Sequence, residues 1–312
     1  MGLFSLQTKL MKKILFILWI SLCIQDLNAQ IKLPATLHGV DRFNVASKYL
    51  GGDIVVSVSL PQGYNPKEDK KYPVLYVLDG YYSFPIMHEL NKLMFSEIEP
   101  VIIVGIGDDR MSLPEWLMTR YPILTHDVDR YEDSFQVAVL LRGAPVKLNS
   151  GNGSHYYDAI KNEVIPIIES NYKTNQDRGI TGHSLSGLFT SHVLFKDNGY
   201  FTRFGINSAA LFVNNDETFR LERAYYESQK ELKGRVFISA AGLEGKNLFE
   251  KRALNLANTL KSRKYKNLHV ESVIFPDESH VSVLGAMSSR TLYSLYGLPV
   301  DRSIGKGHRA DH

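Results

Sequence analysis

The chain predicts an α/β fold: a mostly parallel central sheet, opened by an antiparallel N-terminal hairpin, with helices on both faces in a single domain. Three observations carry this. Two runs, Tyr72–Leu78 (YPVLYVL) and Pro100–Gly105 (PVIIVG), are continuously apolar, as strands buried on both faces must be. From residue 72 onward, strand-like and helix-like stretches alternate to residue 296. The 312 residues are 44% hydrophobic and 22% charged, which suits one large core and excludes a coiled coil, a collagen-like chain or a fully disordered one.

Arg42–Leu50 and Asp53–Leu60 are β-rich and joined by Gly51-Gly52, so they predict the opening hairpin. Pro61–Pro66 is a turn cluster, and the buried strand 72–78 ends in Asp79-Gly80. Residues 83–95 predict a helix and 100–105 a second buried strand. Residues 107–150 mix charges, prolines and aromatics without a period, and read as a long irregular wall or lid. Ile160, Val164, Ile165 and Ile168 recur at helical spacing within 156–172. A short strand 177–181 and a helix 184–194 follow, then a strand ending at Asn207. The remaining pattern is helix 216–232, strand 235–240, helix 248–263, strand 268–275 and helix 282–296. The tail 301–312 is polar and predicts a frayed end.

Residues 1–29 read as a leader rather than as fold. Lys12 and Lys13 precede the apolar stretch Ile14–Ile24, and Leu27-Asn28-Ala29 closes on a small residue, the order of a cleavable signal peptide. The apolar stretch is too short to span a bilayer comfortably. Cleavage after Ala29 predicts an exported chain, periplasmic or secreted, without a stable membrane anchor. It also removes Cys23, the only cysteine, so the mature chain has neither a disulfide nor a thiol nucleophile. The catalytic domain is expected over 30–300. The charge is balanced, 36 Lys+Arg against 33 Asp+Glu, which gives no reason to expect nucleic acid as a partner. Neither an H-E-x-x-H motif nor a clustered His/Asp spacing is present, so no metal and no cofactor are expected.

The sharpest chemical signal is Thr181-Gly182-His183-Ser184-Leu185-Ser186-Gly187, between a short strand and an apolar helix. A strand–turn–helix with serine at its tip is a nucleophile elbow, and the helix N-terminus behind it supplies N–H groups for an oxyanion. The usual pattern is G-x-S-x-G; here Ser186 occupies the last position, a small residue that fits. Such a serine needs an acid and then a histidine downstream, each on a loop after a late strand. His280 follows strand 268–275 and is the expected base. His183 is expected to point away from the serine. Glu244 follows strand 235–240 directly and is the favoured acid, with Glu250 at the next helix start as the alternative. The oxyanion donors are expected to be the N–H groups of Leu185 and Tyr81. Arg110, Trp116 and Arg120, in the irregular stretch, are the candidate substrate-binding residues.

Taken together, Pro73–Gly80 (PVLYVLDG), Val101–Gly107 (VIIVGIG), Gly182–Gly187 (GHSLSG) with Leu188-Phe189, and Ser279-His280 resemble the esterase D branch of the α/β-hydrolases, close to its siderophore (enterochelin-type) esterases. The matching pieces span about residues 42–296. The resemblance implies an α/β-hydrolase fold and cofactor-independent ester hydrolysis through an acyl-enzyme, with Ser184 as nucleophile and His280 as base. It implies a small-molecule or glycan ester as substrate: a siderophore, or a phenolic or acetyl sugar ester. Two other readings of the same fold are an acyltransferase and a catalytically inactive binding protein.

Overall fold

The computed structural model describes residues 37–107, 113–139, 147–196, 199–229 and 231–299. The expected leader, the tail 301–312 and Arg110 lie outside these residues. Eight strands form one sheet: β1 (Val40–Ser47), β2 (Gly52–Ser59), β3 (Tyr72–Leu78), β4 (Ile102–Gly107), β5 (Thr174–His183), β6 (Arg203–Asn207), β7 (Lys233–Ala241) and β8 (Asn267–Phe275). Their spatial order is β1-β2-β4-β3-β5-β6-β7-β8. β1 and β2 form the expected antiparallel hairpin, with Val40 opposite Ser59, and β2 meets β4 antiparallel. From β4 to β8 every neighbouring pair is parallel.

The continuous apolar run of β3 is explained by its place at the centre. All seven of its residues are buried, which stabilises the fold by about 1.5–3 kcal/mol for each large side chain. Side chains alternate between the two faces. Val74, Tyr76 and Leu78 join one apolar cluster, while Leu75 and Val77 join the other. Helix α1 (Gly80–Leu93) and the last helix, α9 (Val283–Tyr296), cover the second cluster through Phe84, Met87, Leu292 and Leu295. The remaining helices that touch the sheet cover the first.

Residues 107–150 are less irregular than the sequence predicts. They contain α2 (Leu113–Leu124) and α3 (Arg130–Val139). An internal proline, Pro122 in α2, blurs its helical period in the sequence. Further on come α4 (Gly153–Ala159), a π-helical turn (Ile160–Val164) and α5 (Ile165–Asn171), then α6 (Leu185–Lys196), α7 (Val213–Ser228) and α8 (Lys251–Ser262). Strand β5 runs from Thr174 to His183, longer than the apolar core of its sequence suggests. The chain from Gly39 onward is one compact unit. Among the described residues no helix is long and apolar enough to cross a membrane.

Candidate active site

Parallel strands end at one edge of the sheet, and connections leaving that edge carry the site. Ser184 stands between β5 and α6 with φ at 62°, the left-handed region that an L-residue enters only under constraint. The constraint is visible on both sides of it. Its N–H donates to Asn207 O at 3.1 Å, and its carbonyl accepts from Leu188 N at 3.0 Å and Ala210 N at 3.1 Å. Gly182 is forced by packing: a Cβ there would lie 2.4 Å from the carbonyl carbon and oxygen of Ser186.

The departure at position 186 has a structural role. Ser186 Oγ accepts from His183 N at 2.9 Å and donates to His183 O at 2.8 Å, so a side chain closes the turn on itself. Ser186 is fully buried, and both hydroxyl bonds replace water that the site excludes.

His280, in the loop after β8, bonds through Nδ1 to Glu244 Oε1. The Glu244 side chain has no exposed surface, whereas 37% of the His280 side chain is exposed. The other carboxylate oxygen of Glu244 accepts from Ala241 N at 2.9 Å and Ser208 Oγ at 3.0 Å. A buried carboxylate with three hydrogen-bond partners is fixed in place, and it orients the His280 ring through Nδ1. Glu244, rather than Glu250, is therefore the carboxylate that meets His280; Glu250 ends the π-helical turn Lys246–Glu250 that leads into α8. Phe249 packs on the His280 ring with centroids 5.1 Å apart.

His183 does not point away, as the sequence predicts. Its ring lies against that of His280, with centroids 4.4 Å apart. Ser184 follows His183 directly, so the serine is one residue along the chain from this contact. Burial, with the neighbouring His280 and Arg120 acting in the same direction, lowers the His183 pKa to about 3. The ring is thus neutral at ordinary pH. The ligand atoms of His183, Glu244 and His280 lie within 4.8 Å of one another. Both oxygens of Glu244 are taken, one by His280 and the other by Ala241 N and Ser208 Oγ, which fits an acid–base pair better than a metal cradle.

Tyr81 sits in the first turn of α1, which follows β3, the neighbour of β5 in the sheet. Counting on from the pairing of Val77 with Thr181 sets Gly80 abreast of Ser184. This loop is pressed flat against β4: a Cβ on Gly107 would lie 2.6 Å from Gly80 N and 3.3 Å from Tyr81 N. Tyr81 and Leu185 thus open two helices from adjacent strands, at the same edge, where backbone N–H groups gather an oxyanion.

A residue the sequence reading did not single out holds the Tyr81 loop. Asp79 is buried with φ at 52°. Arg120 Nε donates to its Oδ1 at 2.8 Å and Nη2 to its Oδ2 at 2.5 Å, while the Tyr82 hydroxyl donates to Oδ2 at 3.1 Å. The Arg120 guanidinium also lies 4.1 Å over the Trp116 ring. Arg120 is therefore no unpaired substrate cation: its fork is committed to Asp79. It still lines, with Trp116, Tyr81, Ile123 and Tyr156, a cavity of about 200 Å³ beside the Asp79–Tyr81 loop.

Comparison with known proteins agrees with this geometry. The model of the Esterase family matches residues 47–281. The chain belongs to the Esterase family. Among curated proteins it is 24% identical over 273 residues to the ferri-bacillibactin esterase BesA of Bacillus subtilis, covering 82% of this chain and 89% of that one. Among solved structures, the BES protein from Bacillus cereus superposes with a TM-score of 0.72 at 24% identity, covering 86% and 99% of the two chains. The siderophore hydrolase EstA from Aspergillus nidulans gives a TM-score of 0.66 at 18% identity, covering 84% and 97%. Membership of this family makes ester hydrolysis the reaction class of the chain, on the α/β-hydrolase-like fold of these neighbours.

Proposed function

We propose that the chain is a serine carboxylic-ester hydrolase that works through an acyl-enzyme on a siderophore-type or phenolic ester. The observation that carries this is the His280–Glu244 hydrogen bond, made by a carboxylate without exposed surface, beside a serine held at positive φ on an elbow. Ser184 Oγ attacks the ester carbonyl carbon while His280 Nε2 takes the hydroxyl proton. Glu244 stabilises the imidazolium. The oxyanion is held by the N–H groups of Leu185 and Tyr81, and its collapse breaks the bond to the alcohol oxygen, which leaves with the proton from His280. Water, deprotonated by His280, then attacks the acyl carbon and releases Ser184.

The cavity beside Tyr81 takes the group next to the scissile carbonyl. Its volume of about 200 Å³ suits one ring or a short acyl chain rather than a whole multi-ring ligand. The aromatic walls, Trp116, Tyr81 and Tyr156, favour an aryl group. The names of BesA and EstA support a siderophore ester, and the leader predicted over residues 1–29 supports export, which puts hydrolysis outside the cytoplasm.

The test is a panel of p-nitrophenyl acetate, methyl ferulate, an acetylated xylan and a tri-catecholate trilactone, with wild type and Ser184→Ala. The expected outcome is cleavage of the aryl or catecholate esters, a loss of at least about 10³-fold in kcat/KM in the variant, and fluorophosphonate labelling at Ser184 alone. A folded Ser184→Ala protein that retains activity overturns the mechanism, and preference for the xylan overturns the substrate class.

A further inference from the structure

A second cluster of titratable side chains lies away from the site just described. His126 follows α2, Asp127 is its neighbour, His192 lies on α6, and Glu217 lies on α7. His126 Nδ1 is 3.0 Å from Asp127 Oδ1 and 3.6 Å from Glu217 Oε1. His192 Nε2 is 3.9 Å from Glu217 Oε2. The two imidazole rings meet edge to face with centroids 5.6 Å apart.

Two features set this cluster apart from an ordinary ion pair. First, it is buried and unfinished. His192 and Glu217 are each 3% exposed, and both ring nitrogens of His192 and Oε1 of Glu217 have no hydrogen-bond partner. Leaving buried groups of this kind unpaired is costly. No lysine or arginine among the described residues pairs with Glu217. Second, its spacing fits a metal ion. A tetrahedron with bonds of about 2.0 Å sets its donors about 3.3 Å apart. The distances from His126 Nδ1 to Asp127 Oδ1 and to Glu217 Oε1, 3.0 and 3.6 Å, bracket that value. The ligand atoms of His126, Asp127 and Glu217 lie within 4.8 Å of one another.

We propose that His126, Asp127 and Glu217 bind one zinc-class divalent transition-metal ion that pins the end of α2 to α7, with His192 of α6 packed behind Glu217. One imidazole and two carboxylates form a mixed nitrogen–oxygen set, which suits zinc rather than magnesium or calcium. Asn214 supports the set from outside: its Nδ2 donates to Asp127 Oδ2 at 3.5 Å and to Glu217 Oε2 at 3.4 Å. It does so from a run of three left-handed residues, Asn214 to Asp216. The consequence is positional. α2 carries Trp116 and Arg120 on the cavity wall, and α6 begins one residue after Ser184, so the ion ties the wall to α7, whose Glu217 meets His192 on the helix behind the nucleophile.

The sequence hides this site because its residues come from two distant stretches, without a spacing that any metal motif shares. The test uses the full chain, stripped with a chelator and dialysed, then titrated with zinc(II) by calorimetry and metal analysis. One equivalent per chain and a raised thermal midpoint are expected, and cobalt(II) is expected to give the visible absorption of a tetrahedral site. Glu217→Gln and His126→Ala are each expected to weaken binding at least tenfold; His126 is partly exposed, so its variant serves if the Glu217 variant fails to fold. His280→Ala is expected to bind zinc like wild type. No stoichiometric binding to the stripped protein, or binding lost in His280→Ala but kept in His126→Ala, overturns the proposal.

Discussion

The Asp79–Arg120 pair offers the most quantitative check on how the site is built. Both side chains are almost wholly buried, at 4% and 7% exposure, and two direct hydrogen bonds join them. Replacing Asp79 by Ala removes an acceptor for three donors and leaves a buried guanidinium uncompensated. Breaking a buried pair in this way costs about 3–5 kcal/mol. The substitution also puts alanine at φ 52°, where aspartate is better tolerated, adding up to about 1 kcal/mol. For a unit of this size a change of 1 kcal/mol moves the thermal midpoint by about 2 °C, so Asp79→Ala is expected to lower it by about 6–12 °C. Asp79→Ala combined with Arg120→Leu removes both charges and is expected to recover several degrees, because the uncompensated charge is gone. Calorimetry on wild type, both single variants and the double variant gives the coupling. kcat/KM is expected to stay low in the double variant, since the Tyr81 loop has still lost its anchor. A fall of less than about 2 °C for Asp79→Ala, or a double variant no more stable than the worse single one, refutes the reasoning.

Two further outcomes follow from the same geometry. Gly182→Ala puts a methyl group 2.4 Å from the Ser186 carbonyl, so the elbow must open; a loss of about 1–3 kcal/mol and at least about 100-fold in kcat/KM is expected, and near-normal turnover refutes the packing argument. His183 gives a pH effect: its folded pKa of about 3 lies below the unfolded value of about 6.5, so the unfolded chain binds the extra proton and stability falls as pH drops below 6.5. At pH 5 this is about 2 kcal/mol, full stability being present above pH 6.5. The midpoint of His183→Asn is expected to change less than that of wild type between pH 7 and pH 5, and equal slopes overturn the assignment.

The residues that carried structure in the sequence are those whose reasons are local. Tyr72–Leu78 is apolar without interruption because it lies between two helical layers, and the run alone reveals that. Glycine at 182 and a small residue at 186 are legible because the turn between them admits nothing larger. The chain order Ser184, Glu244, His280 follows the order of strands β5, β7 and β8, so it too can be read off. What stayed hidden depends on partners far away in sequence. Arg120 looks like an unpaired cation until Asp79, 41 residues earlier, is seen to hold it. Ser208 has no motif around it, yet its hydroxyl steadies Glu244 from the end of β6. His183 was judged by its adjacency to the serine, whereas its direction is set by the ring of His280, nearly a hundred residues on.

Backbone strain ties these hidden residues together. Asp79, Ser184 and Ser208 immediately follow β3, β5 and β6, three strands that lie side by side, and all three have positive φ. Each such residue costs about 1–2 kcal/mol against an ordinary conformation. An L-residue kept there at three successive strand ends requires that something fix it, and in each case the fixing bond is present. Asp79 is clamped by Arg120, Ser184 by Asn207 and Ala210, and Ser208 by its N–H bond to Ser239 O at 2.7 Å. The same bonds turn three segments sharply at one edge, so that the Asp79–Tyr81 loop, Ser184 and the Ser208 support of Glu244 leave neighbouring strands together. The other non-glycine residues of this kind among those described are Lys264, in the turn after α8, and the run Asn214 to Asp216, which leads directly into the buried Glu217. Apart from Lys264 in a surface turn, strain among these residues gathers at the strand ends around Ser184 and beside Glu217, which connects the candidate active site with the proposed metal site.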